Sequence, residues 1–445
     1  MSSGREMNPR RPLIVYIDTM GVGTADAIAE AAASRAIGTA LICPPGNRIA
    51  GSGLFERVIE TRNFHIDNLK RLIGRFDRRY AIRGLHSICG PYRSDGFLHA
   101  SVAEIAAERG LAHSPVHALA AATNKFLTRL RLAQANVPDI PFGLATDTAS
   151  LLGIARTIGY PVILKPLTGV GSSLIFRCNG DAEARASWSK AMRLMPSAYY
   201  EQLRMAPHAA RTGQGAILHF DPMKSMLVEQ YLPGREASVE CVVVGDAVTP
   251  LVVHDKLEVE EKSGFVLEHL LVAPPLRFRR AEIRQLRSHA VAAVRAIGLR
   301  NTFCHVELRW VPGVGPRILE VNPRIGAGCV TDSIETFTDL DVGAARISLI
   351  LGEKLPPLKF RRARRHAMIF LFAPRTGVIT RLDGFEEINE LPSVAAVRLM
   401  HQVGDRVGGD NEEGFLASIW LEAKDANQAK RAYSKIRRLA RIEVG

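Results

Sequence analysis

The sequence contains few cysteines and few aromatic residues, and it has no long hydrophobic run. Its 445 residues include six cysteines, none of which stands in a CxxC or CxxH spacing. We therefore expect reduced, mostly buried thiols rather than disulfides or a zinc site. No apolar run is long enough to span a membrane, and the apolar stretch at 13–17 is too short for a signal peptide. The sequence thus predicts a cytoplasmic protein with no membrane partner.

Aromatic residues make up only 6% of the chain, although the formal net charge is +13. The basic residues cluster at 361–365 and in a C-terminal helix, and aromatic side chains do not alternate with them. Nucleic-acid bases therefore find no stacking platform. Solvated helix faces or a site for small anions explain the charge better, so we expect no nucleic-acid partner.

The third glycine of a dinucleotide-binding fingerprint is also missing. The chain opens with an apolar strand at 13–17, a glycine-containing loop at 21–23, an alanine-rich helix at 24–36 and a second strand at 39–43. This order predicts a parallel sheet. Asp26 stands where the third glycine belongs, and no acid follows the second strand at the expected place. Both departures argue against a nicotinamide cofactor.

The most informative stretch that is present covers residues 303–328. Residues 303–310 alternate like a strand, 312–315 predict a turn, and 317–322 predict the returning strand. Folded about that turn, the hairpin brings Glu307 opposite Glu320. Asn322 shares the face of Glu320, because side chains alternate along a strand.

Two facing carboxylates lie about 5 Å apart at Cβ and repel each other unless a positive charge lies between them. A hard cation with oxygen ligands, most simply Mg²⁺, would remove the conflict. Arg324 follows just after the strand, where it could reach a phosphate that the metal holds. The alternative is a solvent-facing polar hairpin whose acids pair with Arg309 or Arg317.

A second candidate site begins at Lys165, which ends a β-branched strand and precedes a glycine- and serine-rich loop. Gly169 and Gly171 let backbone N–H groups approach an anion, and Ser172 and Ser173 add hydroxyl donors. The order differs from a Walker A motif, because the lysine precedes the glycines. A tight hairpin without any ligand is the alternative.

A third candidate follows the buried strand predicted at 226–230. Backbone groups at the end of this strand could hydrogen-bond an adenine edge, and Glu236 could accept from ribose hydroxyls. The alternative is an ordinary strand, turn and strand with exposed acids. The residues in question are Glu229, Gln230, Tyr231, Leu232 and Glu236.

The order of these motifs resembles the ATP-grasp superfamily, and within it the carboxylate–amine ligases. The resemblance covers roughly residues 118–351 and implies ATP and Mg²⁺ as cofactors. It implies that Lys125 and Lys165 contact the nucleotide phosphates and that Arg324 stabilises the phosphoryl and acyl-phosphate charge. It further implies that adenine is bound at 229–232, ribose at Glu236, and magnesium at Glu307, Glu320 and Asn322.

Within that superfamily the chain is most similar to the bacterial L-amino-acid ligases of the bacilysin-synthetase type. The total length, a small C-terminal domain and the ending NPRIGAG at 322–328 carry this resemblance. His269, ahead of Pro274, falls where the family has a histidine on the substrate side, although the usual acid is replaced by the adjoining Glu268. The resemblance implies that an acyl phosphate forms, that two L-amino acids are joined into a dipeptide, and that ADP and phosphate are released.

The fold expected from sequence is α/β and α+β, with three domains. Residues 1–113 form a Rossmann-like domain, 114–360 the ATP-grasp domain with a lid at about 150–228, and 361–445 a small α+β domain. Within these we expect a helix at 118–135 that contains Lys125 and a polar substrate loop at 254–268. Dimers are the commonest oligomers of soluble proteins, so we expect a homodimer. Biotin-carboxylase-like or purine-pathway carboxylating enzymes, and a non-catalytic nucleotide-binding regulator, remain as alternatives.

Overall fold

The computed structural model describes residues 10–19, 25–87, 91–92, 96–138, 140–169, 171–197, 207–211, 215–262, 264–408 and 413–445. Over these ranges, no helix combines the length and the apolarity needed to cross a lipid bilayer. The predicted loop at 21–23 and Cys89 lie outside the described residues.

The N-terminal part is a parallel sheet with helices against it. Its strands run in the order β3-β2-β1-β4, and β1 pairs in parallel with β2 and β4, which confirms the predicted parallel sheet. The elements are β1 (Arg11–Ile17), α1 (Ala25–Ala33), β2 (Gly38–Cys43), β3 (Arg57–Glu60), α2 (Ile66–Gly74), β4 (Tyr80–His86), β5 (Pro91–Tyr92), β6 (Gly96–Phe97) and α3 (Leu98–Glu108).

The helix predicted at 118–135 is in fact two helices, α4 (Val116–Thr123) and α5 (Lys125–Gln134). Asn124 breaks it, because its side-chain oxygen accepts hydrogen bonds from the N–H groups of Phe126 and Leu127 and so caps α5. The N–H of Lys125 is thereby released to donate to the carbonyl of Leu167, at 2.8 Å. Lys125 thus stands at the start of a helix rather than inside one.

The central part forms most of a large antiparallel sheet, in the order β17-β16-β13-β14-β15-β9-β8-β12-β7. Helices α4, α5 and α8 pack against the end of this sheet that contains β16 and β17. The core between them includes Leu286 and Val306. The elements that lead up to the nucleotide motifs are β7 (Phe142–Ala145), α6 (Thr148–Ile158), β8 (Val162–Pro166), β9 (Ser173–Cys178), α7 (Asp181–Leu194), β10 (His208–Arg211), β11 (Ile217–Phe220) and β12 (Met226–Gln230). Those that follow are β13 (Arg235–Val244), β14 (Ala247–Lys262), β15 (Gly264–Ala273), α8 (Arg280–Ile297), β16 (Thr302–Val311), β17 (Gly315–Asn322), α9 (Val330–Phe337) and α10 (Val342–Leu351).

The prediction of a substrate loop at 254–268 is wrong. Strand β14 continues through Lys262, and β15 begins at Gly264, so the polar segment forms two paired strands. The charged side chains of this segment suggested a solvent-exposed loop, but several of them form buried ion pairs instead. Lys256, for example, is 1% exposed.

Helix α10 returns the chain to the N-terminal sheet. Ile347 and Ile350 pack with Ile14 and Tyr16 of β1. Gly84 in β4 permits this approach, since a Cβ there would lie 2.3 Å from Cγ2 of Ile350. The N-terminal sheet and the central part therefore share a core.

The C-terminal part extends the large sheet. Strand β15 pairs with β18 as well as with β14, β18 pairs with β22, and β22 pairs with β20. The expected basic C-terminal helix is found as α12. The elements are β18 (His366–Phe372), β19 (Gly377–Asp383), α11 (Phe385–Asn389), β20 (Val394–Leu399), β21 (Arg406–Val407), β22 (Phe415–Glu422), α12 (Ala426–Leu439) and β23 (Arg441–Val444).

Candidate active site

A polar cleft lies where strands β15, β16 and β17, the glycine loop at 169–173 and the C-terminal part meet. It brings together most of the side chains predicted for phosphate and metal binding, and adds others that the sequence did not indicate. Its polar lining includes Lys125, Thr168, Gly169, Gly171, Ser172, Ser173, Glu268, His305, Glu307, Glu320, Asn322, Arg324 and Glu413.

The hairpin of β16 and β17 has the predicted register. Glu307 faces Glu320, and His305 faces Asn322. The positive charges beside the acids are lysines, however: Nζ of Lys125 lies 3.1 Å from Glu320, and Nζ of Lys256 lies 3.0 Å from Glu307. The expectation that a metal alone relieves the repulsion is therefore corrected. Of the two arginines in the alternative pairing, Arg309 pairs with Glu236 and Glu261 instead.

Lys256 is the central cation that sequence reasoning missed. Its ammonium is fully buried and contacts three carboxylates, those of Glu236 at 2.7 Å, Glu307 at 3.0 Å and Glu268. Burial opposes the charge, but the three acids outweigh it and hold the pKa of Lys256 well above its usual range. These three acids could otherwise offer oxygen atoms to a metal. In the structure the ammonium of Lys256 lies among them.

Glu236 therefore has protein partners at the position predicted for ribose binding. It is 7% exposed and contacts both Lys256 and Arg309. The charges of these two cations outweigh burial and hold the pKa of Glu236 below its usual range. A ribose hydroxyl would have to share this carboxylate with them.

The donor set of the hairpin suits Mg²⁺. Glu307, Glu320 and Asn322 line one cleft and offer oxygen atoms, the ligands that this cation prefers. Burial raises the pKa of Glu307, but Lys256 and His305 outweigh this effect and hold the pKa well below its usual range. The residues present therefore fit a magnesium site in which lysine and histidine stand behind the carboxylates.

His305 supports Glu307 from the buried side. One ring nitrogen contacts Glu240, and the other lies 3.3 Å from Glu307. Burial opposes protonation, but Glu240 and Glu307 raise the pKa of His305 to about 10. Glu240 also accepts from the N–H of Gly326 at 3.2 Å. The loop after Arg324 is thereby tied to the hairpin.

Lys165 is buried at the end of β8, and its ammonium lies 2.5 Å from Glu229 on β12. Burial lowers the pKa of Lys165. Glu229 also accepts from the guanidinium of Arg129 at 2.9 Å, and the two cations outweigh burial and lower the pKa of Glu229. The predicted lysine of the phosphate site thus belongs to a buried group of three charges.

The glycine loop adopts the conformations that its sequence predicts. Gly169 and Gly171 have φ angles of 125° and 66°, where other residues are strained. Ser172 and Leu174 also have positive φ angles, 49° and 56°. Strain of this kind is typical of sites that hold a ligand. Nζ of Lys125 donates to the Gly169 carbonyl at 3.3 Å.

The segment predicted to bind adenine is partly engaged with its own fold. The N–H groups of Gln230 and Tyr231 donate to the carbonyls of Pro141 and Pro161 at 3.0 and 3.1 Å. The carbonyl of Leu232 accepts from Arg309 at 3.0 Å. The face of the Tyr231 ring lies 4.1 Å from the guanidinium of Arg177.

His269 is not brought together with the other predicted residues. Its ring contacts Phe372 and Tyr433 of the C-terminal part, and its Nε2 pairs with Glu260 at 3.0 Å. The neighbouring Glu268 lines the cleft instead, because successive side chains of a strand point to opposite faces.

Glu413, from the C-terminal part, also lines the cleft. Its N–H donates to the carbonyl of Gly171 at 3.4 Å. Burial, together with Glu268 and Glu307, raises the pKa of Glu413 to about 8, against the opposing charges of Lys256 and Arg324. No local motif marks this residue in the sequence.

Acid sensitivity is expected from His254, which is fully buried and lies 2.8 Å from Ser333. Burial lowers its pKa to about 4, whereas an unfolded histidine titrates near 6.5. The unfolded chain therefore binds the proton first, so this contribution to stability is present above pH 6.5 and is lost as pH falls toward 4. The loss amounts to roughly 3 kcal/mol, at about 1.4 kcal/mol per pH unit.

Urea unfolding at pH 7.5, 6.5, 5.5 and 4.5 measures this effect. The stability difference between wild type and His254→Gln should shrink as pH falls. His289→Gln, on the outer part of α8, serves as the control and should show no such trend. A constant difference for His254→Gln would contradict the assignment.

Comparison with known protein families matches two segments of the chain. Residues 158–332 match the ATP-grasp domain, and residues 369–445 match the L-amino acid ligase C-terminal domain 2. The uncharacterised protein y4rH of Sinorhizobium fredii is 28% identical over 350 residues, which are 78% of this chain and 65% of that protein. The match thus spans under two thirds of that relative.

Solved structures share the fold at low identity. The L-amino acid ligase of Bacillus licheniformis is 17% identical, with 99% of this chain and 100% of that chain covered and a TM-score of 0.75. The biotin carboxylase domain of a Hydrogenobacter thermophilus 2-oxoglutarate carboxylase, in complex with MgADP, ADP and bicarbonate, is 17% identical, with 98% and 92% covered and a TM-score of 0.69. The Anaerococcus prevotii phosphoribosylglycinamide synthetase is 15% identical, with 98% and 100% covered and a TM-score of 0.66.

Residues 158–332 thus form an ATP-grasp domain, and the solved structures share the fold over nearly the whole chain. ATP and Mg²⁺, the two expected cofactors, are those that ATP-grasp enzymes use. The C-terminal segment of the chain is, in addition, the kind of domain found in L-amino acid ligases.

Proposed function

We propose that this protein is an ATP-dependent carboxylate–amine ligase that joins two L-amino acids into a dipeptide through an acyl phosphate. The observation that carries the proposal is that the C-terminal part supplies Glu413 to the same cleft as Glu268 and Arg324. An amino acid carries both a carboxylate and an ammonium group, and this cleft offers charges that suit both. A bicarbonate ion would have no group to place against the two acids.

In the proposed reaction, the substrate carboxylate attacks the γ-phosphorus and ADP leaves with the electrons of the broken P–O bond. Lys125, Lys165 and Arg324 hold the phosphate charges during this step. Glu307, Glu320 and Asn322 would hold Mg²⁺, which would supply charge neutralisation of the triphosphate. The amine of the second amino acid then attacks the carbonyl carbon, phosphate leaves, and the nitrogen gives up a proton.

The glycine loop would exclude water from the mixed anhydride. In the structure it already contacts the C-terminal part, through Gly171 and Glu413. The strand that follows the loop, β9, pairs with β15 at Gly264 and Phe265. These contacts support a role for the loop as a cover over the phosphates.

Phosphate release with ATP, Mg²⁺ and pairs of amino acids tests the proposal, with product masses determined in parallel. Dipeptide masses are expected, and they should disappear when either amino acid is replaced by its analogue without the amino or carboxyl group. Bicarbonate with an amine is the comparison reaction. A carboxylated amine as the product would replace this proposal by a carboxylase.

Glu413→Gln should raise the KM of an amino-acid substrate by roughly tenfold, the effect of about 1.4 kcal/mol of lost binding. The KM of ATP should stay within about twofold. Glu390→Gln, an exposed acid next to α11, is the control and should change neither value. An unchanged amino-acid KM in Glu413→Gln would remove the C-terminal part from the substrate site.

A further inference from the structure

Helix α5 carries two cations on one face, because Lys125 and Arg129 stand four residues apart. Lys125 reaches Glu320 on the metal-bearing strand β17, and Arg129 reaches Glu229 on β12. These two strands stand far apart in the sheet order. The helix therefore connects the strand beside the phosphate lysine to the strand of the candidate metal site.

Arg129 makes most of this connection. Its side chain is 1% exposed, and its Nε donates to Glu229 at 2.9 Å. Its two terminal nitrogens donate to the carbonyls of Ile318 and Leu319, at 2.7 and 3.2 Å. Glu320 follows directly in the chain. Because a guanidinium is planar and rigid, these bonds fix the spacing between β12 and the start of the metal site.

The charges in this buried group do not cancel. Glu229 lies between Arg129 and Lys165, so two positive charges share one negative charge. Counted over these three side chains alone, two positive charges and one negative charge leave one positive unit. If Arg129 were absent, Glu229 would neutralise Lys165, and a phosphate would meet an ion pair of no net charge. Charges interact more strongly in a buried site than in water, so this loss of net charge would weaken the attraction of the phosphate.

We propose that Arg129 is a positioning residue for the nucleotide: it compensates Glu229, so that the charge of Lys165 is left for the phosphates, and it ties β12 to β17. The proposal rests on the nucleotide site proposed above. It does not depend on which amino acids are joined. In this role Arg129 acts through Glu229 and the two carbonyls.

Equilibrium binding of Mg·ADP, measured by calorimetry well below the melting temperature, tests the proposal without any amino acid. Arg129→Leu should raise Kd at least tenfold. The double variant Arg129→Leu/Glu229→Gln restores one net positive charge and should recover most of that loss. Arg129→Lys, which keeps the charge with fewer bonds, should weaken binding less than Arg129→Leu. This variant also decides the question if Arg129→Leu does not fold.

Arg235→Leu provides a matched control, since it removes another arginine–glutamate pair, to Glu282 at 2.9 Å. It should lower the melting temperature and leave Kd unchanged. A purely structural Arg129 would behave in the same way, and that result would overturn the proposal. Equal weakening in the single and double variants would overturn it too. Wild-type protein that does not bind Mg·ADP would refute the nucleotide site, and this proposal with it.

Discussion

Replacing Glu320 with glutamine is expected to lower kcat by about 10³-fold while the protein stays folded. Glu320 is half-buried, and its ion pair with Lys125 is partly solvated, so its loss costs about 1 kcal/mol of stability or less. The phosphate charge would nevertheless lose a metal-facing carboxylate during transfer, and losing one preorganised electrostatic contact of this kind costs about 10²–10³ in rate. Glu320→Gln should therefore lose turnover while its stability stays nearly unchanged.

The measurement is ADP formation under saturating substrates, run beside thermal melts with and without Mg·ATP. Glu353→Gln is the matched control, because it removes a half-exposed acid that pairs with Arg35 at 2.8 Å, outside the cleft. It should leave turnover unchanged. Near-normal activity in Glu320→Gln would end the assignment of this hairpin as a metal site.

The partner across the hairpin should behave differently. Glu307 is bound by Lys256 and by His305, so Glu307→Gln should destabilise the protein as well as inactivate it. The simple expectation from two facing acids, namely that removing either charge relieves strain, therefore applies to neither carboxylate once the lysines are taken into account.

Lys256→Met is expected to cause the largest loss of stability, about 3–5 kcal/mol, because it leaves buried carboxylates without their shared cation. At Glu268 the unfavourable effects already outweigh the lysine. Burial, with Glu307 and Glu236 nearby, raises the pKa of Glu268 to about 7 even with Lys256 present. Urea unfolding at pH 7.5 measures the loss.

The double variant Lys256→Met/Glu268→Gln removes one of the uncompensated charges and should recover part of that stability. Lys224→Met, at an exposed lysine that pairs with Asp221 at 3.1 Å, is the control and should change stability by less than about 0.5 kcal/mol. A loss of similar size in Lys256→Met and Lys224→Met would show that the three glutamates do not depend on Lys256.

Local sequence patterns predicted the parts of the site that depend on local geometry. The hairpin register follows from strand alternation about one turn, so Glu307 and Glu320 could be placed opposite each other from sequence. The glycine loop could be predicted in the same way, because the positive φ angles at Gly169 and Gly171 favour glycine. The parallel N-terminal sheet followed from the order of its strands and helix.

The residues that were missed depend on contacts between distant segments. Lys256 meets acids from three other strands, and Arg129 is separated by 100 residues from its partner Glu229. The predicted position of His269 on the substrate side differs from the structure for another reason. The face that a strand residue occupies changes with every single step along the strand. The pairing of β14 and β15 shifts near Glu258, and no sequence pattern marks that shift.

Hydroxylamine trapping measures the central chemistry most directly. The protein is incubated with ATP, Mg²⁺, hydroxylamine and single amino acids, and hydroxamate and nucleotide products are quantified together. An acyl phosphate predicts a hydroxamate formed in equal amount with ADP, and its absence in Glu320→Gln. Formation of AMP and pyrophosphate in place of ADP and phosphate would show adenylation, and would contradict phosphoryl transfer in this cleft.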